Sequence, residues 1–190
     1  MRGQLERKTA LAALKLAAKK PWNAVTLEQI AATAKLSTGQ VKKLFPDTAA
    51  ILPVIVRLID GEAGKTAQAI DRKASVHDRL FEAMMARFDA LQNHRAAIQS
   101  IAKTCSRTPN MAIKLFQSQV ASMQHMLNLA HLSPKGGYGK LQQAGLLAVY
   151  YLTLSRWLTD NSRDMAKTMS VLDRALRKGE KLMDLLLKID

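Results

Sequence analysis

Apolar residues recur at helical spacing along almost the whole chain of 190 residues, and no segment alternates apolar and polar residues long enough to predict a strand. Proline and glycine interrupt the pattern at a few places, so the segments between them predict an all-α protein. About nine helices are expected, near residues 4–19, 27–34, 38–45, 48–72, 76–92, 94–105, 110–131, 139–160 and 163–188.

The first three predicted helices are short and the later ones are long. This contrast predicts a three-helix head at residues 1–46 and a body of six helices at residues 47–190. Pro53 lies inside the fourth predicted segment, where it removes a backbone donor and clashes with the preceding turn. We therefore expect the fourth helix either to bend at Pro53 or to begin later than its apolar pattern.

Residues 26–45 have the pattern of a helix-turn-helix. Thr26 and Ser37 each precede a glutamine by three residues, and this capping-box spacing predicts the starts of two helices. Seven apolar positions then face inward, namely Ile30, Ala31, Ala34, Leu36, Val41, Leu44 and Phe45. The segment therefore predicts two short helices that cross on a small apolar core.

The opposite face of the second helix carries polar side chains suited to DNA. Gln40 can hydrogen-bond base edges, and Lys42 and Lys43 can contact phosphates. Ser37, Thr38 and the Gly39 amide offer donors to a phosphate at the start of the helix. A helix of this width fits the major groove, so the pattern favours double-stranded DNA as a partner.

Two stretches resemble the TetR family of transcriptional regulators. They are Leu-Ala-Ala-Leu-Lys-Leu-Ala-Ala-Lys-Lys-Pro-Trp-Asn-Ala-Val-Thr at residues 11–26 and Ser-Thr-Gly-Gln-Val-Lys-Lys-Leu-Phe-Pro-Asp at residues 37–47. The resemblance implies a homodimer whose two heads bind a palindromic operator. It also implies that the helical body binds a small apolar effector and releases the DNA, so the expected function is a ligand-responsive repressor.

Three residues depart from the family pattern. The family usually has Gly at Lys35, Tyr at Lys42 and Lys at Thr48, so a left-handed turn at Lys35 would strain the backbone. With these positions included, the expected DNA-binding residues are Thr26, Ser37, Thr38, Gly39, Gln40, Lys42, Lys43 and Thr48.

The chain has a formal net charge of +14, and residues 1–50 hold nine basic and three acidic side chains. Such a surface attracts polyanions, although charge alone does not choose between nucleic acid and an anionic membrane. No long uncharged apolar run occurs, so neither a membrane span nor a secretory signal is expected. The single cysteine agrees with a cytoplasmic location.

The body is rich in methionine and aromatic residues, which suit an adaptable apolar pocket, although ordinary core packing explains them equally well. The candidate pocket residues are Met84, Met85, Phe88, Phe116, Met123, Met126, Tyr151 and Trp157. Residues 75–98, 157–162 and 172–176 also resemble parts of the lipid-binding accessory proteins of ubiquinone biosynthesis, which have a TetR-like fold. This second resemblance leaves an isoprenoid carrier as the alternative function.

Apolar stripes on the last two predicted helices fit either the intrachain core or a dimer interface with a second copy. They are Leu141, Ala144, Ala148, Tyr151 and Leu152 on one helix, and Met165, Met169, Leu172, Leu176 and Leu186 on the other. In the TetR family the equivalent helix pair forms the dimer, so we expect a homodimer here.

Other chemistry is not indicated. The four histidines lack the spacing that places two imidazoles on one helical face, so no metal site is predicted. No paired carboxylates and no nucleophile with a base appear in the sequence, so neither catalytic residues nor a cofactor is expected. The glycine-rich segment at residues 136–140 is interpreted as a connector between two long helices.

Overall fold

The computed structural model describes residues 2–132 and 135–187. These residues form nine α-helices and no β-strand, which confirms the all-α prediction. No helix in these ranges is both long and apolar enough to cross a membrane. The helices are α1 (Arg2–Ala17), α2 (Leu27–Ala34), α3 (Thr38–Leu44), α4 (Leu52–Thr66), α5 (Val76–Gln92), α6 (Arg95–Cys105), α7 (Pro109–Leu129), α8 (Gly136–Trp157) and α9 (Ala166–Leu187).

The described residues group into two compact units. The first unit contains the chain through Gly61 together with Ala90–Gln119, and the second contains Glu62–Asp89 and the described residues from Val120 onward. The first unit thus holds α1, α2, α3 and α6 together with parts of α4, α5 and α7. A functional boundary at residue 46 stays a prediction.

Alanines allow close packing in the first unit. Ala10, Ala13 and Ala17 of α1 are buried where α1 packs against α2 and α6. After α1 the chain turns at Pro21 and buries Trp22, whose backbone N–H donates to the Ser100 hydroxyl of α6 at 2.9 Å. The connection into the helix-turn-helix is therefore fixed to a neighbouring helix.

The fourth helix begins at Leu52, later than the apolar pattern suggests. A 3-10 turn over Ala49–Ile51 precedes it, and the Asp47 carboxylate caps this turn by accepting from the Ala50 N–H at 2.7 Å. Pro53 is therefore the second residue of α4, where its missing N–H has no intrahelical partner to lose. Of the two outcomes expected for Pro53, the later start is observed.

The glycine-rich segment is not a connector as predicted. Helix α8 already begins at Gly136, after an extended Lys135, and Gly139 is buried with its N–H bonded to the Lys135 carbonyl at 3.1 Å. Gly136 has a φ of 64°, which a residue without a Cβ adopts readily. Glycine lowers helix propensity but does not forbid helix, and here packing outweighs it.

The core of the second unit is aromatic. Phe88 of α5 stacks on Tyr150 of α8 with 5.9 Å between ring centroids, and Trp157 lies 6.5 Å from Phe88. The guanidinium of the buried Arg87 lies 4.4 Å from the centre of the Tyr150 ring, so a cation–π contact accompanies its burial.

Asp160 anchors the turn between α8 and α9. Its buried carboxylate accepts from the Ser162 N–H at 2.9 Å, the Thr168 N–H at 2.8 Å and the Thr168 hydroxyl at 2.7 Å. Burial raises the pKa of Asp160, but these hydrogen bonds outweigh it and hold the pKa well below its usual range. The charged form of this side chain therefore stabilises the start of α9.

Candidate nucleic-acid interface

Helices α2 and α3 form the predicted helix-turn-helix around a small apolar core. Ile30 and Ala31 of α2 and Val41 of α3 are almost completely inaccessible, and Phe45 is 4% exposed. The other three predicted core positions, Ala34, Leu36 and Leu44, are half-buried. The inward face predicted from spacing is thus observed, with its closest packing where the two helices cross.

Both predicted capping boxes are present. The Thr26 hydroxyl accepts from the Gln29 N–H at 3.3 Å, and the Gln29 side chain accepts from the Thr26 N–H at 3.2 Å. Ser37 and Gln40 make the same pair of bonds, at 3.1 and 2.9 Å. Each box satisfies amides of the first turn that have no intrahelical acceptor, so the start of each helix is defined by local chemistry.

The turn between the helices is a Schellman motif at a residue that is not glycine. Lys35 has φ 56° and ψ 45°, its N–H bonds to the Ala32 carbonyl, and the Leu36 N–H bonds to the Ala31 carbonyl at 3.0 Å. A side chain makes this left-handed conformation unfavourable by about 1–2 kcal/mol. Lys35 therefore adopts the left-handed backbone conformation in which the sequence predicts strain.

The predicted DNA-binding residues lie on the exposed side of this unit. Six of the eight are exposed, namely Thr26, Ser37, Gly39, Gln40, Lys42 and Lys43. Thr38 is half-buried at the first position of α3, and Thr48 is half-buried just before the Ala49–Ile51 turn. The α3 face therefore presents a continuous polar ridge opposite the buried Val41.

Gln40 has a second role that its spacing already indicated. Its side-chain oxygen accepts the Ser37 N–H with one of its two lone pairs, and the cap leaves both amide N–H donors for a further partner. Bidentate pairing with adenine uses both the oxygen and the nitrogen of a glutamine. The capped Gln40 therefore offers hydrogen-bond donors, which suit acceptor atoms on a base edge.

Sequence reasoning missed an ion pair on this ridge. The Glu28 carboxylate, in the first turn of α2, lies 2.8 Å from the Lys42 ammonium of α3, and both side chains are more than half exposed. The hydrogen bond from Lys42 is the main cause that lowers the Glu28 pKa to about 2. No spacing rule links residues on two crossing helices, so the pair could not be predicted. The available signal was Glu28, an acidic residue on the helix next to the one that carries Lys42 and Lys43.

The exit from α3 is also held by charge. The Lys114 ammonium of α7 lies 3.2 Å from the Asp47 carboxylate, within the first unit. Although partial burial raises the Asp47 pKa, its hydrogen bonds with the Ala50 N–H and Lys114 outweigh this and lower it. Together with the Trp22–Ser100 bond, this contact fixes both ends of the helix-turn-helix to longer helices.

The predicted ligand-pocket residues differ in burial. Met84, Phe88, Met123, Met126 and Trp157 are fully buried packing residues, whereas Phe116 and Tyr151 are 49% and 37% exposed. Met85 lines a cavity of about 400 Å³ in the second unit. Its walls include the apolar Ile70 and Phe81 and the carboxylates of Glu82 and Asp89. An apolar pocket lined by the whole set stays a prediction.

The two apolar stripes behave differently. All five α8 stripe residues, Leu141, Ala144, Ala148, Tyr151 and Leu152, are exposed although α8 packs against α9. On α9, Leu172 and Leu176 are buried, as is Met165 just before the helix, and Met169 is exposed; the side chain of Leu186 lies outside the described residues. The α8 stripe is therefore exposed in the single chain, whereas Met165, Leu172 and Leu176 of the other stripe are intrachain core.

Comparison with solved structures shows the fold. A TetR transcriptional regulator from Nitrosomonas europaea superposes with a TM-score of 0.71 at 21% identity, covering 93% of this chain and 98% of that one. A TetR transcriptional regulator from Rhodococcus sp. RHA1 superposes with a TM-score of 0.67 at 17% identity, covering 94% of this chain and 97% of that one. The dihydroxyacetone kinase operon activator DhaS superposes with a TM-score of 0.55 at 13% identity, covering 97% of each chain. No protein-family model and no curated protein match the sequence. The chain thus has the fold of TetR-family regulators.

Proposed function

We propose that this protein is a TetR-family transcriptional regulator that binds a palindromic double-stranded DNA operator as a homodimer. The observation that carries the proposal is the polar ridge of α3, supported from behind by α2 and started by a reciprocal capping box. A rigid helix of this kind presents its exposed side chains to the major groove. Two such heads contact half-sites about 34 Å apart.

Contacts on the ridge divide into two kinds. Lys42 and Lys43 bind phosphates, which gives affinity without sequence preference. Gln40 contributes preference, because the N–H₂ group left by its cap matches the acceptors of guanine N7 and O6 or thymine O4. Thr26, Ser37, Thr38, the Gly39 amide and Thr48 contribute polar contacts to the backbone.

The exposed α8 stripe supports the homodimer. Leu141 is 43% and Leu152 is 56% exposed, and a Cβ built on Gly145, between them, would meet no atom within 4 Å. An apolar stripe on a helix is normally covered in a soluble protein. A second copy provides the same stripe, and Gly145 allows the two backbones to approach closely.

A small, largely apolar effector is the proposed ligand of the body, with the 400 Å³ cavity beside Met85 as its candidate site. An effector that binds one arrangement of the body shifts the heads only by its differential affinity for the two arrangements. Effector and operator must then weaken each other reciprocally. Repression is the expected outcome.

An isoprenoid carrier stays the alternative function, and mass spectrometry of ligand extracted from the purified protein distinguishes the two functions.

The test is duplex binding with and without the lysines of α3. Selection from a random DNA pool supplies the operator, and affinity is measured between 50 and 300 mM salt. Lys42→Ala with Lys43→Ala should weaken binding to all sequences and flatten the slope of log K against log salt by up to about 1.8 per recognition helix. Arg72→Ala with Lys73→Ala removes the same charge from an exposed pair in the second unit and serves as control. An unchanged slope in the α3 variant overturns the proposal.

A further inference from the structure

The contact between Glu28 and Lys42 places an acid within the surface proposed to bind DNA. Glu28 Oε1 lies 2.8 Å from Lys42 Nζ, and the two side chains are 56% and 57% exposed. The bridge joins the first turn of α2 to the last turn of α3, so it spans both helices of the motif. Neither side chain is enclosed by protein, so both can meet an incoming phosphate.

We propose that Glu28 competes with DNA phosphate for Lys42 and thereby lowers the affinity of the protein for DNA of arbitrary sequence. The inference rests on the proposed function. A phosphate that contacts the Lys42 ammonium either displaces the Glu28 carboxylate or lies beside it, where the two negative charges repel each other. In both cases part of the attraction between Lys42 and the phosphate is lost.

Lys43 provides the comparison on the same helix. It is exposed, and within the described part of the chain it has no ion pair. Its ammonium is therefore available to a phosphate at no electrostatic cost. Glu28 thus distinguishes two neighbouring lysines, of which Lys43 contributes its full share of phosphate attraction and Lys42 a reduced one.

The reduction acts on the sequence-independent part of binding. Phosphate contacts supply nearly all non-specific affinity, whereas base contacts supply the preference for one site. An acid that weakens a phosphate contact therefore lowers non-specific binding and leaves Gln40 unaffected. Because the same phosphate contact is made at the operator and at other sites, the expected effect is an equal loss of affinity at both, and the ratio between them is left to base contacts such as that of Gln40.

The experiment is a double-mutant cycle on DNA affinity. Wild type, Glu28→Gln, Lys42→Ala, Lys43→Ala and the combinations of Glu28→Gln with each lysine variant are titrated with a random-sequence 30-base-pair duplex and with the selected operator, between 50 and 300 mM salt. Glu28→Gln should raise non-specific affinity by up to about eightfold per recognition helix at 0.1 M salt and steepen the salt slope by up to about 0.9. The gain should disappear when Lys42 is alanine and persist when Lys43 is alanine.

Glu6→Gln is the matched control. It changes the net charge equally and also breaks two ion pairs in the first unit, because the partly buried Glu6 pairs with the exposed Arg2 at 3.0 Å and the exposed Arg57 at 3.4 Å. It should leave the salt slope unchanged. Thermal unfolding followed by circular dichroism verifies that both glutamine variants remain folded at the assay temperature.

The outcomes separate the two proposals. A wild-type protein that binds no duplex overturns the proposed function and this inference with it. A wild-type protein that binds DNA, combined with a Glu28→Gln slope that is unchanged or equally steepened without Lys42, overturns the inference alone. If Glu28→Gln lost affinity only for operators with a cytosine in the half-site, the inference would also be overturned. Glu28 would then be accepting a hydrogen bond from the cytosine N4 amino group.

Discussion

The left-handed turn at Lys35 allows a stability prediction with a worked magnitude. Lys35 has φ 56° and ψ 45° and an exposed side chain, so its conformation is imposed by the Schellman motif between α2 and α3. Replacing it with Gly removes about 1–2 kcal/mol of backbone strain. Glycine also increases the conformational entropy of the unfolded chain, which lowers the free energy of unfolding by about 0.4–1 kcal/mol. The variant should therefore gain about 0.5–1 kcal/mol over a residue with a Cβ.

Lys35→Ala is the control that isolates this strain. Alanine keeps the Cβ but removes the positive charge, which near a helix C-terminus itself stabilises by about 0.3–1 kcal/mol. The informative quantity is thus the difference in unfolding free energy between Lys35→Gly and Lys35→Ala, expected at about 0.5–1 kcal/mol in favour of glycine. Lys35→Asn should fall between them, because asparagine tolerates the left-handed region better than most residues.

Urea unfolding followed by circular dichroism at 222 nm measures these free energies at fixed protein concentration, since dimerisation would otherwise contribute to the apparent stability. For a chain of this size, 1 kcal/mol corresponds to about 2–4 °C in Tm. If Lys35→Ala is as stable as Lys35→Gly, the turn is not strained at this residue. That result would refute the assigned geometry of the helix-turn-helix.

Three further predictions concern the dimer, an acidic anchor and a cap. Leu152→Glu should give monomers with unchanged circular dichroism, because the charge would be buried against a second copy; a dimer in sedimentation velocity at micromolar concentration would contradict this. Asp160→Asn should cost about 3 kcal/mol at pH 7 through lost charged hydrogen bonds. Because the pKa of Asp160 is depressed in the folded state, its contribution to stability is present above about pH 4 and is lost as the pH falls below that. Urea titrations from pH 7 to 2 should therefore show a weaker loss of stability with acid in the variant. An unchanged acid dependence would count against the role assigned to Asp160. Ser37→Ala should cost about 1 kcal/mol and Ser37→Asp much less, as measured by urea unfolding; equal losses in the two variants would contradict the assigned cap.

The sequence alone determined the features that depend on near neighbours in the chain. Thr26 and Ser37 sit three residues before glutamines, so their capping boxes follow from spacing, and Ile30 and Val41 face inward because helical periodicity puts them there. The helix-turn-helix was therefore predictable within a residue or two. Gly136 shows the limit of local propensity, since glycine at a helix start did not prevent α8.

Only the tertiary structure decided which apolar stripe is core and which polar groups meet. Leu152 and Leu172 occupy similar stripes, but packing exposes the first and buries the second, because each helix has several apolar faces and contacts select among them. The same holds for Met84, a core residue, and Met85, a cavity wall. Glu28 and Lys42 are fourteen residues apart, and their 2.8 Å contact exists only because two helices cross. Periodicity specifies the faces of one helix, whereas pairing between helices depends on the whole packed chain.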